Sequence, residues 1–148
     1  MSNLTHPPSK TALLLGYGGL IPFVGISASS VLLEGTHQTT LLFCLLAYGA
    51  TIISFLGAIH WGLNMREESP NHLQLVWGVM PSLAAWLSLI FSTQTGLAIQ
   101  CLMLWVCFGV DYLTYPTLNV AAWLKMRCWL TVFASLSLLT PLIYLACS

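Results

Sequence analysis

The chain contains runs without a single Asp, Glu, Lys or Arg that are long enough to cross a lipid bilayer, and this restricts its fold more than any other feature. Thr11 to Leu33 is one such run of 23 residues, and Ser69 to Val110 is another of 42. A helix rises ~1.5 Å per residue and needs ~20 residues to cover a ~30 Å hydrocarbon layer, so the first run supplies one crossing and the second about two. Inside lipid every backbone N–H and C=O must be satisfied by protein, which leaves helices or closed barrels. Runs this long and this continuously apolar do not fit barrel strands. The expected fold is therefore all-α, an integral membrane bundle in a single domain over residues 1–148.

Five crossings are expected, at about 11–33, 39–65, 72–91, 95–115 and 127–147. Glu34 to Gln38 forms the first turn. Arg66-Glu67-Glu68-Ser69-Pro70-Asn71 is the most polar stretch and reads as a loop, with Pro70 opposing continuation of the helix before it. Ser92-Thr93-Gln94-Thr95-Gly96 is the turn-like cluster that divides the 42-residue run. After Pro116 a mildly amphipathic connector, Thr117 to Arg127, leads to the last uncharged run. Pro22 and Pro81 fall inside helices, where each frees the carbonyl four residues earlier, on Gly18 and Trp77, and kinks are expected at both. A cleaved signal peptide is the rival reading of the first run, but its apolar core exceeds the usual ~7–15 residues.

Composition agrees: 57% of residues are hydrophobic and 5% charged, against roughly a quarter charged in an ordinary soluble domain. Four basic and four acidic residues balance to zero, so no basic field exists to attract nucleic acid, which is not an expected partner. With five crossings, Lys10, Arg66, Lys125 and Arg127 share one side of the membrane and none is left for the other. The positive-inside rule then puts the amino terminus in the cytoplasm and the carboxyl terminus on the exoplasmic side. On that topology the sequon Asn3-Leu4-Thr5 faces the cytoplasm and is expected to be unmodified.

An ionisable residue at membrane depth is costly unless paired and marks a functional site by default. His60 and Asp111 are in that position. His60 lies about one and a half turns before Arg66 and Asp111 about one turn before Tyr115, on crossings that run towards the same side, and Arg127 falls near the same level. Asp111 is expected to pair with Arg127 or with His60. Trp61, Trp77, Trp123 and Trp129 fall in the cytoplasmic half, with Trp86 and Trp105 near mid-membrane. An interfacial aromatic belt explains such residues without a ligand, although a belt normally forms at both faces. The one-sided set beside His60 and Asp111 also fits a pocket, open to the cytoplasmic leaflet, that holds a flat or amphipathic molecule. His60, Trp61, Trp77, Asp111, Trp123 and Arg127 are the candidate ligand-binding residues.

The remaining patterns argue for packing. Cys44, Cys101, Cys107, Cys128 and Cys147 form no C-x-x-C pair and read as small buried hydrophobes, with no clustered ligand set for a metal. Gly18, Gly25 and Ser29, and Ala47, Ala50, Ser54 and Ala58, recur at intervals of three, four or seven, so the first two crossings are expected to pair closely through small residues. No G-x-S-x-G, H-E-x-x-H or pair of carboxylates at membrane depth supports an enzyme, so catalysis is not expected and no catalytic residue is assigned.

Leu15-Gly16-Tyr17-Gly18-Gly19-Leu20-Ile21-Pro22-Phe23, Tyr48-Gly49-Ala50 and Ser54-Phe55-Leu56-Gly57-Ala58-Ile59-His60-Trp61-Gly62 resemble the transmembrane-protein-69-like family of uncharacterised small multi-pass membrane proteins of bacteria and eukaryotic organelles. Pro81, Trp86, Asp111 and Trp123 through Arg127 extend the resemblance over most of the chain. It implies a multi-pass membrane location and brings no activity or cofactor with it. Without an Arg-rich presequence, a bacterial inner (cytoplasmic) membrane is the expected location. Three functions compete. The first is a non-catalytic binder of a hydrophobic molecule such as a lipid, quinone or tetrapyrrole. The second is an accessory or assembly subunit of a larger membrane complex. The third is a small proton or solute transporter using His60 and Asp111, for which a chain this short calls for a homodimer.

Overall fold

A computed structural model describes residues 7–67, 69 and 71–147; the sequon, Glu68 and Pro70 lie outside the described residues. The first uncharged run forms two helices, α1 (Lys10–Gly18) and α2 (Leu20–Leu32), followed by α3 (Thr36–Asn64), α4 (His72–Ser88), α5 (Thr93–Thr114) and α6 (Leu124–Cys147), the last entered through a 3-10 turn at Ala121–Trp123. Among the described residues there is no strand. Polar residues just outside the apolar runs start three of the helices: the Ser9 hydroxyl accepts from the Ala12 N–H, the Asn71 side chain from Leu73 and the Ser92 hydroxyl from Thr95. Gly35, at φ 69° before α3, holds a backbone conformation that side chains disfavour.

Helix ends differ from the sequence expectation where local hydrogen bonding decides them. α3 begins three residues early, at Thr36, because the Gly35 turn is tight. α4 stops at Ser88 rather than 91, since the N–H groups of Leu89 and Ile90 bond carbonyls three residues back and tighten the last turn. α6 takes in the end of the expected connector, from Leu124. Pro22 lacks the N–H that would tie it to Gly18, and the helix breaks three residues before it, at Gly19, whose carbonyl accepts from the Tyr48 hydroxyl at 2.8 Å. α4 continues unbroken through Pro81.

The pairings fix the direction of every helix. Asn64 meets Asn71, Trp61 meets Leu75, and Gly57 meets Gly78, so α3 and α4 form an antiparallel hairpin. Gln100 fills the space a Cβ on Gly49 would need, and Asp111 meets His60. Both partners have advanced equally between these two contacts, so α3 and α5 are parallel. Ser88 meets Gln100 across an antiparallel α4/α5 pair, Asp111 meets Arg127 across α5/α6, and Phe23 stacks edge-on against Tyr48 across α2/α3. The start of α1, the end of α3, the end of α5 and the start of α6 therefore gather at one end of the bundle, and Lys10, Arg66, Lys125 and Arg127 gather with them.

The radial distribution of residues is that of a bundle solvated by lipid. Leu14, Leu32 and Leu73 are more than 70% exposed, while Ser88, Gln100, His60, Asp111 and Thr131 are at most 1% exposed. An apolar core of Phe23, Leu45, Ile53, Leu97, Leu104 and Leu138 fills the centre. Among the described residues, four helical stretches are long and apolar enough to cross a membrane: Lys10–Leu32, Thr36–Asn64, Thr93–Thr114 and Ala121–Cys147. The remaining helix, α4, has 17 residues.

Close packing occurs at a different seam from the expected one. Gly18 and Gly25 have open space beside them and Ala58 is exposed. The tight approach is between α3 and α4, where a Cβ on Gly57 would come within 2.5 Å of the Gly78 carbonyl and one on Gly78 would run into the Trp61 ring. The buried face of α3 carries Gly49, Ile53 and Gly57, one residue away from the Ala50, Ser54 and Ala58 row, which is a rotation of about 100°. Ala50 itself remains buried at the edge of that face. Of the cysteines expected to be buried, Cys107 is; Cys101 and Cys128 are half-buried, and Cys44 and Cys147 are exposed on the apolar exterior.

Replacing Gly57 by Leu is expected to force α3 and α4 apart and to lower stability in detergent by about 1–3 kcal/mol or more. Gly62→Ala, on the same helix but with nothing beside it, is expected to leave stability unchanged or raise it by up to about 1 kcal/mol. Urea titration of the solubilised variants checks both, and equal melting of the two would disprove the seam.

Candidate functional site

Near the basic end of the bundle three helices each contribute one polar side chain to a single cluster. The Arg127 Nε–H of α6 donates to Asp111 Oδ2 at 2.7 Å, and Nη2 stands 2.6 Å from the same oxygen with its N–H bonds turned off that line. On the opposite side His60 Nε2 lies 2.8 Å from Asp111 Oδ1. Asp111 pairs with both candidates at once, one per oxygen. An ionised carboxylate only accepts, so Nε2 of His60 carries the proton facing it. His60 Nδ1 is buried without a protein partner among the described residues. Tyr115 closes the cluster, its ring centroid 6.0 Å from that of His60 and its hydroxyl beside Asp111 and Arg127.

Such a cluster is strongly constrained. Taking charges out of water costs several kcal/mol per ion, and attraction repays it only with close geometry and the remaining valences filled. Both carboxylate oxygens of Asp111 are filled. The guanidinium has five N–H donors, of which Asp111 engages part, and Arg127 also lines a cavity.

That cavity, of about 770 Å³, lies between α1–α2, α3 and α6, with Leu104 of α5 at its back. Its walls are largely apolar, with Leu20, Phe23, Ile52, Leu56, Leu130 and Ala134 among them. Pro7, Arg66 and the Leu118–Val120 turn stand at the basic end of the bundle, and Phe23, Leu104 and Ala134 lie deeper. Arg127, Tyr115 and Thr131 are the residues of the polar cluster's neighbourhood that the cavity's lining includes. A smaller, shallower hollow of about 300 Å³ on the far side of the triad is lined by His60, Asn71, Gln74, Trp77 and Thr114.

The six residues singled out in the sequence therefore separate. His60, Asp111 and Arg127 form one hydrogen-bonded unit. Arg127 and Trp123 line the large cavity, while His60 and Trp77 line the shallow hollow. Trp61 lines neither; its indole N–H donates to the Leu75 carbonyl at 2.7 Å and it seals the α3/α4 seam. The large cavity is lined by one tryptophan rather than a collection of them.

Sequence reasoning passed over Tyr115, Thr131, Gln100 and the Asn64/Asn71 pair. The last clamps the α3–α4 loop by two bonds, Asn64 Nδ2 to the Asn71 carbonyl at 3.0 Å and the Asn71 N–H to Asn64 Oδ1 at 2.9 Å. Gln100 spans from the Leu46 carbonyl at 2.8 Å to the Ser88 hydroxyl at 2.9 Å. A search for uncharged polar residues inside apolar runs would have found Gln100, and the helical interval of four from Arg127 would have pointed to Thr131.

An apolar exterior, a polar cluster sealed inside and several helices of membrane-crossing length define a multi-pass helical membrane protein. The chain belongs to the family described as "Protein of unknown function (DUF3429)", whose model matches residues 8–143. It is 39% identical over 141 residues to Transmembrane protein 69 of Xenopus tropicalis, covering 90% of this chain and 54% of that protein. It is 30% identical over 138 residues to Transmembrane protein 69 of Mus musculus, covering 90% of this chain and 56% of the relative. The chain thus spans about half the length of these curated relatives. No solved structure matches it.

Asp111→Asn leaves the Arg127 charge buried and uncompensated, and is expected to destabilise the protein by about 3–5 kcal/mol. His60→Phe removes one bond to a charged group, expected to cost about 1.5–3 kcal/mol. Because the two act through one carboxylate, the double variant should lose less than the sum. Denaturant unfolding in detergent measures all three, and strict additivity would show that the triad is not one unit.

Proposed function

We propose that this protein holds one hydrophobic or amphipathic molecule, without catalysis, in the cavity between α1–α2, α3 and α6. The observation that carries the reading is the cavity itself. Its volume of about 770 Å³ falls within the ~300–1,000 Å³ of small-molecule sites, and it has their usual make-up of apolar walls with a few convergent polar groups. Of the candidate classes a lipid or a quinone suits it better than a tetrapyrrole. His60, the buried histidine among the described residues, is bonded to Asp111 and does not line the cavity, so it is not placed to ligate a metal there. Transport by the triad has less support, because His60, Asp111 and Arg127 form one layer across the bundle near its basic end rather than a file along it.

The chain is inferred to cross the membrane five times. α4 is short, yet it is antiparallel to both α3 and α5, which are parallel to one another, so it returns the chain through the same slab. The gathering of four basic residues at one end supports, under the positive-inside rule, a cytoplasmic side for that end and an exoplasmic carboxyl terminus. The bacterial inner membrane stays the proposed location, although the two relatives described above are eukaryotic.

Native mass spectrometry of protein extracted gently from its own membranes is expected to show a one-to-one complex with an apolar molecule that is lost on harsh delipidation. Protein that carries nothing, and whose stability ignores lipids and quinones alike, would overturn the binding reading. Reporter fusions at the two chain ends should report opposite compartments, and the same compartment for both would overturn five crossings.

A further inference from the structure

Two buried hydroxyls of α6, that of Thr131 and, one turn on, that of Ser135, make no bond to a helical carbonyl. In helices buried in apolar surroundings, Ser and Thr normally donate to the carbonyl three or four residues earlier. Thr114 does so to Val110 at 2.8 Å, Ser137 to Phe133 at 2.9 Å and Thr140 to Leu136 at 2.8 Å. Thr131 is 1% exposed, and its Oγ1 is covered and has no partner among the described residues, while the residue lines the cavity one turn beyond Arg127. An unmade buried hydrogen bond costs about 1–3 kcal/mol. Arg127 lines the same cavity. Arg127 and Thr131 thus lie about one helical turn apart in the lining of a largely apolar chamber, where rotation of the Thr131 side chain would present its hydroxyl.

The charge state of that wall narrows what they suit. Arg127 is already neutralised by Asp111 at 2.6 Å, so a second carboxylate or phosphate there would add an unbalanced negative charge at membrane depth. A neutral acceptor adds none. The cavity also extends deeper, to Phe23, Leu104 and Ala134, which gives an attached apolar body somewhere to lie.

Resting on the ligand-binding reading above, we propose that the cavity takes a molecule with an uncharged carbonyl, that of a quinone ring or a lipid ester, which accepts hydrogen bonds from Thr131 Oγ1 and the Arg127 guanidinium while its apolar body lies towards Phe23 and Leu104.

The purified full chain in dodecyl maltoside, a detergent without a carbonyl, can be titrated with four probes: decylubiquinone, monoolein, sodium laurate and tetradecane. Stabilisation against heat reads binding. One or both carbonyl probes are expected to bind at least tenfold more tightly than laurate or tetradecane, and which of the two is preferred separates a quinone from an ester lipid. Thr131→Val is expected to melt no lower than the unaltered protein in the absence of probe, since it removes an unpaired hydroxyl, and to weaken the carbonyl probes about tenfold while leaving tetradecane unchanged. Thr140→Val, which alters an exposed back-bonded hydroxyl, should change nothing in binding. If laurate or tetradecane binds as well as the carbonyl probes, or Thr131→Val binds them undiminished, the head-group assignment is wrong and the cavity remains a general apolar site. If no probe binds, the ligand-binding reading falls with it.

Discussion

Asp111 sits inside a bundle whose outside is apolar, so its charge must be matched by protein, and the way it is matched ties the helices together. One oxygen is reached from α6 and the other from α3. α3 and α5 are thereby held in parallel register at one end, while Gln100 holds them against Gly49 and Leu46 about 16 Å deeper, given the helical rise. Two polar clasps at different depths set both the rotation and the sliding position of α5. In lipid, packing forces between apolar faces discriminate poorly among such arrangements, and polar bonds with no alternative partner discriminate well.

The clasp at the basic end also accounts for the asymmetry of the bundle. α3, α4 and α5 meet closely, through Gly57 against Gly78 and Gly96 against the Ser88 carbonyl. α2 packs on α3 and α6 without a glycine contact of that kind. The first crossing is broken at Gly19 and held to α3 by the Tyr48 hydroxyl, the Phe23–Tyr48 ring contact and the Gln38 amide on the Ser30 carbonyl. α1 buries no residue. Space is left where this looser segment passes α3 and α6, and the large cavity is that space.

How much of this was legible in the sequence follows from where charge is scarce. With eight charged residues in the chain, most of the helical runs and loops could be read from the charges, and the uncharged Ser92–Gly96 cluster marked the turn that charges did not. The Asp111 partnership was legible for the same reason, because at that depth it had His60 and Arg127 and nothing else to choose from. The rotation of each helix was not legible: α3 is apolar on every side, so nothing in its sequence marks the Gly49, Ile53 and Gly57 face over the Ala50, Ser54 and Ala58 face. Trp61 was misplaced by that uncertainty, since its partner, the Leu75 carbonyl, appears only once the α3/α4 seam is known. The position of the cavity was beyond reach as well, since it lies beside α1, a segment that buries no residue and so leaves no packing pattern to read.

An apolar chamber of this size is not a stable void. Atoms lining empty space lose their dispersion partners, and proteins tolerate few gaps larger than a water molecule. Filling the chamber with water would leave most of those waters against leucine and phenylalanine, with too few polar partners to hold them. In the membrane its contents are therefore mainly apolar, whether a lipid chain that enters and leaves or a molecule held in place. What distinguishes holding from mere occupancy is the polar wall: an acyl chain alone satisfies Leu20, Ile52 and Leu130 and leaves Thr131 and the free side of Arg127 as they were. On the proposed reading, a ligand that ends in an acceptor would satisfy both kinds of surface, and the few polar groups on that wall, more than its volume, would decide what the chamber retains.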